Sequence, residues 1–592
     1  MTVSSFIDYG KLAITNIKNY LTIQKFIYLF IYKKGDEKVK AKKLTLLGAI
    51  SATLLLTACQ GNSTNQDTQG NNAQQDLELS SSAAISTMEP SQAGDTTSTL
   101  AMSQVFEGLY VLGPDDELQL GVAAEEPEIS EDETVYTFTL RDDAEWSDGT
   151  PVTADDFVFA FQKITDPKYA APNADVLFDV VKNAREINLE DGDIDTLGVK
   201  AIDDKTLEFT LERPVPYFKS LLAYPVLYPQ NKEYVEEQGE KYATDSDHLI
   251  YNGPFKLSDW SASGDDWGYE KNESYWDRDE VKLDKANVTV VKTPSTAINL
   301  YTTDALDMID KLSSEYIPTY KDDPSFESVE QFTTFFLKMN SERDGKKNAL
   351  DNENIRKGIA QAFDKESFVK NILQDDSNPT DHLIPKGQTK APDGKQDFTE
   401  VADERNDYLS YDPEKAKEAW EKGKEELGVD KVELGFLTDD TEEAKKNAEF
   451  FQYELQDNLP GLEITVEQVP FTVRVDRDSN KEYDLELAGW GTDYRDPLTV
   501  MRIFMSSSDL GGVTYSNEDY DKLIQDTRED HAADKEARFD DFVEAQDILI
   551  NQDAVIAPIY NRSLSTLVNP SVKDLHWHAY GPSYNLKWAY KE

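Results

Sequence analysis

The sequence predicts a multi-lobed α/β protein, and three observations predict it. The chain beyond its only cysteine, Cys59, is about nine-tenths of 592 residues, too long for a single hydrophobic core, so two or three lobes are expected. Residues 431–469 read as strand, amphipathic helix and strand in succession, the pattern of a parallel crossover unit. Tyr, Phe and Trp recur periodically after residue 77, so the chain folds despite its high charge.

The elements follow in chain order. Residues 1–38 contain "YLTIQKFIYLFIYKK", an apolar and aromatic run interrupted by Lys25. Translation is expected to begin at Val39, the rival being an N-terminal membrane helix. Lys40, Lys42 and Lys43 then precede a mostly apolar run, Leu44 to Leu56, and small residues before Cys59. Basic, apolar and small in that order is a secretory signal, too short to span a membrane. The stretch Leu56-Thr57-Ala58-Cys59 resembles a bacterial lipobox. That resemblance implies a diacylglycerol on the Cys59 sulfur and cleavage before it, and two or more acyl chains give stable anchoring. "QGNSTNQDTQGNNAQQD", residues 60–76, has almost no apolar residue and reads as a flexible tether.

In the folded part, Tyr136, Phe138 and Leu140 alternate along a predicted strand at 135–141, and Leu207, Phe209 and Leu211 along another at 206–212. Between them Asp148-Gly149 marks a tight turn. Thr153 and Asp156 fit a capping box, and Phe157, Phe161 and Ile164 follow at helical spacing. Strands are predicted at 431–437 and 462–469 around a helix at 442–459. A late helix includes "RFDDFVEAQDILI", and a late strand, "VIAPIYNRSLSTLV", is placed to return to the first lobe.

Few residues offer chemistry. The net charge of −54 argues against nucleic acid and against an electrostatic grip on anionic lipid, and the first 58 residues, with nine lysines and three acids, make the remainder more negative still. Such acidity aids solubility and favours cationic ligands. Of five histidines only His576 and His578 have ligand-like spacing, and no nearby cysteine or acid completes a metal set. No nucleophile elbow and no phosphate loop is present. With so many acids, a carboxylate pair carries no signal for a glycosidase. The residues therefore give no case for an enzyme and fit a ligand-capturing protein better.

Two stretches carry a resemblance: "QVFEGLYVLGPDDELQLGVAAEEPEIS" running into "YTFTLRDDAEWSDGTPVTADDFVFAFQKITDP", and "DLELAGWGTDYRDPLT" at 484–499. With "YNGPFKLSDW", "NESYWD", "NIRKGIAQAFDKESFV" and "PIYNRSLSTLV", they closely resemble, in order from about Leu77 to the C-terminus, the peptide-binding family 5 of extracellular solute-binding proteins, and within it the oligopeptide-binding lipoproteins of ABC importers. The resemblance implies a two-lobed periplasmic-binding-protein-like clamp of class II type with an extra inserted domain. One lobe is expected from 77–119, 244–332 and 558–592, the inserted domain from 120–243, and the other lobe from 333–557. The signal region is 1–58 and the tether 59–76.

The same resemblance assigns residues. Glu107, Gly108 and Leu109 match one edge that pairs with peptide backbone, and Gly489, Trp490 and Gly491 the facing edge, where glycine permits close approach. Asp493 matches the aspartate that holds the peptide α-ammonium. The residues alone favour a turn aspartate balanced by Arg495. Two departures stand out. Leu487 occupies a position where some relatives carry an arginine for the peptide carboxylate, and Arg477 does not align with it. Thr333 and Gly491 occupy positions that some relatives staple with a disulfide. The implied partners are oligopeptides and a membrane permease, with a monomer held by lipid at Cys59 on the extracellular face of a bacterial cytoplasmic membrane, and no cofactor or metal. Other ligands known for this fold (pheromone peptides, nickel complexes, haem, sugars) stay open, as does, more distantly, a surface enzyme or adhesin.

Overall fold

The computed structural model describes residues 75–508 and 510–592. The signal region, Cys59 and nearly all of the tether lie outside them. The first strand, β1 (Asp76–Ser81), begins where the polar tether composition ends. An inserted four-stranded antiparallel sheet follows: β2 (Glu128–Ile129), β3 (Val135–Thr139), β4 (Val199–Asp203) and β5 (Thr206–Thr210), in the order β2-β3-β5-β4. Its alternating residues Tyr136, Phe138, Leu207 and Phe209 are all buried. The helix α1 (Ala154–Thr165) packs on it, and the capping box at its start is formed, with Asp156 accepting from the Thr153 N–H at 2.9 Å. Asp156 also accepts from Trp146 Nε1 at 3.1 Å, which fixes the Asp148-Gly149 turn between them. Phe209 sits at the centre of a ring cluster, with Phe138, Phe161 and Phe218 at 5.9, 5.1 and 5.3 Å.

The main sheet joins β1 to β6 (Phe255–Ser258), β7 (Asp266–Lys271), β8 (Lys285–Val290), β9 (Met308–Ile309), β10 (Phe326–Met339), β11 (Val432–Asp439), β12 (Leu462–Val469), β13 (Leu485–Gly491) and β14 (Ile556–Val568), with the short strand Asn378–Pro379 added beside β14 and the other short strands forming two-stranded ribbons outside it. Their order is β12-β11-β13-β10-β14-β9-β1-β8-β7-β6. The crossover unit is realised as read: β11 and β12 run parallel over eight register pairs, joined by α2 (Glu442–Asn458). The first half of the sheet shares one hydrophobic core with the inserted domain, from Leu77 through Phe209 to Ala589. The second half is covered on both faces by separate clusters, one around Phe363, Trp420 and Phe451, the other around Tyr483, Phe504 and Phe542.

Two long strands join the halves. β14 pairs with β9 through Leu567 and Val568 and with β10 along most of its length. The β10–β14 ladder breaks between Glu330 and Thr334. In that gap Phe332 turns to other partners: its N–H donates to the Ala579 carbonyl at 2.7 Å and its carbonyl accepts from the Thr492 N–H at 2.9 Å. Both backbone polar groups of Phe332 are thus satisfied, by segments from either side.

A buried charge network fixes the register of β10 against β13. Lys338 and Glu486 are register partners, with Lys338 Nζ 3.1 Å from Glu486 Oε2. Lys338 also pairs with Asp478, and Arg474 with Glu486 and, at 2.9 Å, with Asp439. Three carboxylates therefore share two cations. Burial pushes the Glu486 carboxyl up to about 7, against the pull of Lys338.

Two predictions follow from this packing. Phe209→Ala leaves a cavity under three rings and is expected to destabilise the protein by about 3–5 kcal/mol in urea melts; a loss below about 1 kcal/mol would show the cluster to be peripheral. Glu486 has a raised folded pKa, so the folded state keeps a proton that the unfolded chain releases near pH 4.3, and its contribution falls as pH rises from there to about 7. The stability of wild type relative to Glu486→Gln is expected to drop over that window by on the order of 1–3 kcal/mol. A difference independent of pH would contradict a raised pKa at Glu486.

Candidate ligand-binding site

The site is built around a strand edge without a partner. On one side β13 is paired throughout with β10, from Leu485 opposite Met339 to Gly491 opposite Thr333. On the other, β11 pairs only with Leu485 and Glu486 before diverging. Residues 487–491 thus present an edge that no described strand covers. Gly489 and Gly491 are exposed and Trp490 is half-buried between them. The glycine at 489 has a reason across the sheet: a Cβ there would lie 2.8 Å from the Phe335 ring, which stacks on Tyr560 at 4.8 Å. At Gly491 a Cβ would approach Thr333 Oγ1 to 3.2 Å. Thr333 and Gly491, the pair that some relatives link by sulfur, are direct register partners.

The edge opens onto a cavity of about 600 Å³ lined from both halves of the sheet and from the inserted domain, the last through Asn173 and Tyr224. Gly489 to Asp493 form one wall. Asp493 lies just beyond the strand, where its carboxylate accepts from Thr499 Oγ1 at 3.3 Å. It has no ion-pair partner within 4 Å among the described residues. Burial raises its pKa and the Arg502 charge opposes that rise. The turn reading, in which Arg495 balances Asp493, does not hold: the Arg495 guanidinium donates instead to the carbonyls of Gln388 at 3.1 Å and Gly387 at 3.0 Å. Trp490 Nε1 and His578 Nε2, both on the lining, are buried without a hydrogen-bond partner, and an orphaned polar group in a cavity wall is a group waiting for a ligand or water.

The structure does not bring Glu107, Gly108 and Leu109 to this cavity. Their carbonyls accept from Asn252 Nδ2 and from the N–H groups of Val122 and Gly121, at 2.8, 2.9 and 2.9 Å. The Glu107 side chain is buried and accepts from Tyr275 Oη at 2.5 Å and Trp276 Nε1 at 2.6 Å. Burial raises its pKa while the Lys587 charge lowers it. Its visible work is to tie the 107–109 segment to Asn252 and the Tyr275-Trp276 pair. Leu487 lies half-buried on β13, and Arg477 is engaged by Glu467 and the Glu482 carbonyl. His576 packs edge-on to Trp588 at 5.4 Å, and His578 Nδ1 meets Asp116 at 3.1 Å. Sequence reasoning missed Lys311 and Arg562, which line the cavity and have no ion-pair partner within 4 Å among the described residues. Arg562 lies inside the quoted "PIYNRSLSTLV" but has no periodicity or motif to mark it.

Comparison with known proteins places this geometry. The model of "Bacterial extracellular solute-binding proteins, family 5 Middle" matches residues 117–512. The dipeptide-binding protein of Lactococcus lactis is 31% identical over 564 residues, covering 93% of this chain and 100% of its own. The oligopeptide-binding protein OppA of Bacillus subtilis is 31% identical over 523 residues, covering 86% and 92%. The structure of Listeria monocytogenes OppA bound to peptide is 41% identical, covers 88% of this chain and 99% of its own, and superposes with a TM-score of 0.76. The fold is thus the α/β two-lobed clamp, and family 5 proteins are binding proteins rather than enzymes. An uncovered strand edge, an acid without a cation and a cavity between two halves belong, in this chain, to a member of the family 5 bacterial extracellular solute-binding proteins.

Proposed function

We propose that this protein is the lipid-anchored substrate-binding subunit of an ABC importer, and that it captures oligopeptides in extended form between two closing lobes for delivery to a permease. The observation that carries the reading is the uncovered edge at residues 487–491 ending at Asp493, which has no cationic partner. A peptide laid along that edge pairs with Gly489 to Gly491 through groups every peptide shares, so affinity is independent of sequence. Asp493 holds the α-ammonium and sets register, and Trp490 forms a wall with its indole N–H free to donate. The names of the relatives, dipeptide- and oligopeptide-binding proteins, and the peptide in the Listeria structure support the ligand class.

The lobes of this proposal meet where β10 and β14 cross, near the ladder break at 331–333, against expected limits at 332 and 557. Bending there opens and closes the cavity. The secretory signal and lipobox support attachment through Cys59 on the outer face of the cytoplasmic membrane.

Native mass spectrometry of the purified protein, with release and sequencing of bound molecules, is expected to yield peptides of varied sequence; a metal complex, haem or sugar in their place would refute the ligand class. Asp493→Asn is expected to weaken binding of free-amine peptides by roughly 2–5 kcal/mol and N-acetylated peptides far less. Equal effects on both would remove the ammonium role. Cys59→Ser is expected to move the protein from the membrane fraction to the medium, and retention in the membrane would argue against a lipid at that residue.

A further inference from the structure

The inserted domain meets the second half of the molecule along a charged seam beside the ligand cavity. Tyr217 of the inserted domain stacks on Tyr494 with ring centroids 4.6 Å apart and planes at 16°. The Arg495 N–H donates to Ser220 Oγ at 3.1 Å. Asp179 is held by Arg528 from across the seam and, at 2.8 Å, by Arg185 of its own domain. Arg213 reaches Asp179 at 3.8 Å and Glu529 at 3.5 Å. Arg502 Nη1 lies 3.3 Å from Asp175 Oδ2. Between the two surfaces is a small cavity of about 170 Å³ lined by Asp175, Asp179, Tyr217, Tyr494, Arg502 and Arg528, among others.

Arg502 differs from the other seam arginines. Arg185, Arg213 and Arg528 share Asp179 and Glu529 among themselves. Arg502 is the only ion-pair partner of Asp175 among the described residues, and the nearest helical turn to it carries the residue that holds Asp493. It contacts Asp175 directly, and Thr499, one helical turn before it, holds the Asp493 carboxylate. Arg502 also favours the charged form of Asp493, while Asp175 disfavours it. The Arg502 guanidinium thus pairs directly with the carboxylate on the inserted domain and acts on the one at the ligand site from beyond ion-pair distance, through a helical turn that Thr499 ties to it.

We propose that Arg502 is a positioning residue that couples occupancy of Asp493 to docking of the inserted domain through Asp175. The inference rests on the reading that Asp493 takes a peptide ammonium. In the empty protein Asp493 and Asp175 compete for Arg502. An ammonium at Asp493 supplies the missing positive charge, leaves Arg502 committed to Asp175 and tightens the seam. By linkage, a seam tightened by the ammonium must in turn strengthen ammonium binding by the same factor. Arg502 and Asp175 are 23% and 42% exposed, so the coupling is modest and weakens with salt.

Tetra-alanine with a free and with an acetylated N-terminus provides the test, by calorimetry on wild type, Asp175→Asn and Asp175→Glu, with small-angle scattering to read closure. Asp175→Asn is expected to weaken the free peptide about fivefold, to leave the acetylated peptide within about twofold, and to reduce ligand-induced compaction. Asp175→Glu restores both, and the fivefold effect fades at ~1 M salt. Equal losses for the two peptides, or none, overturn the coupling and make the seam a structural contact only. Wild type that does not discriminate between the peptides, or binds neither, overturns the ammonium role of Asp493 and the coupling with it. Discrimination in wild type that Asp175→Asn leaves intact overturns the coupling alone.

Discussion

Everything in this molecule hangs on one ribbon, the antiparallel pairing of β10 with β14. These strands carry the main sheet from one half to the other, and the second half reaches the first through them and through side-chain contacts at the seam. The ribbon is well made at both ends and interrupted in the middle, where Phe332 gives its hydrogen bonds to Ala579 and Thr492. At that place Phe332 already has its partners outside the ladder, so the break leaves its polar groups satisfied. The cavity lies over the break, with Gln331, Thr333, Arg562 and Leu564 on its lining.

The same ribbon explains why the ligand edge is free. β13 is held on its β10 side by seven register pairs and, from behind, by Lys338 on Glu486. That grip lets β13 extend five residues past its contact with β11 without a second neighbour. An uncovered edge invites unwanted pairing. Here it is sheltered in a cavity between two halves, flanked by an acid without a cation and by two cations without acids, Lys311 and Arg562. In a chain of net charge −54, where acids outnumber bases nearly two to one, cations left unpaired on a cavity wall stand apart from the surface at large.

Much of the fold was legible because it rests on local periodicity. Tyr136, Phe138, Leu207 and Phe209 alternate and are buried; Thr153 and Asp156 cap the helix they were read to cap; β12 spans the predicted 462–469. The helix after Lys535 runs on into a turn of π-helix at Ile548–Gln552, which no periodicity foretold. The site was legible only by resemblance. "GWGTDYRDP" is an ordinary turn by composition, and what separates Asp493 from a turn aspartate is that Arg495 points elsewhere, a fact of three dimensions. Glycine at 489 was read as room for a ligand; the closer constraint is the Phe335 ring on the neighbouring strand. Glu107 to Leu109 showed the opposite limit, since a matched motif does not reveal that its carbonyls are already bonded to Asn252, Val122 and Gly121.

The pairing of Thr333 with Gly491, without a sulfur atom on either, has a practical side. The single cysteine of the chain is Cys59, far upstream of β1, so the whole described body is free of thiols. Nothing in it can be oxidised to a disulfide or sulfenate, so thiol–disulfide exchange does not act on its shape. For the chemist, any cysteine introduced into the body becomes its only reactive handle. A fluorophore or spin label can then be set on either side of the ribbon with Cys59 the one other cysteine to account for.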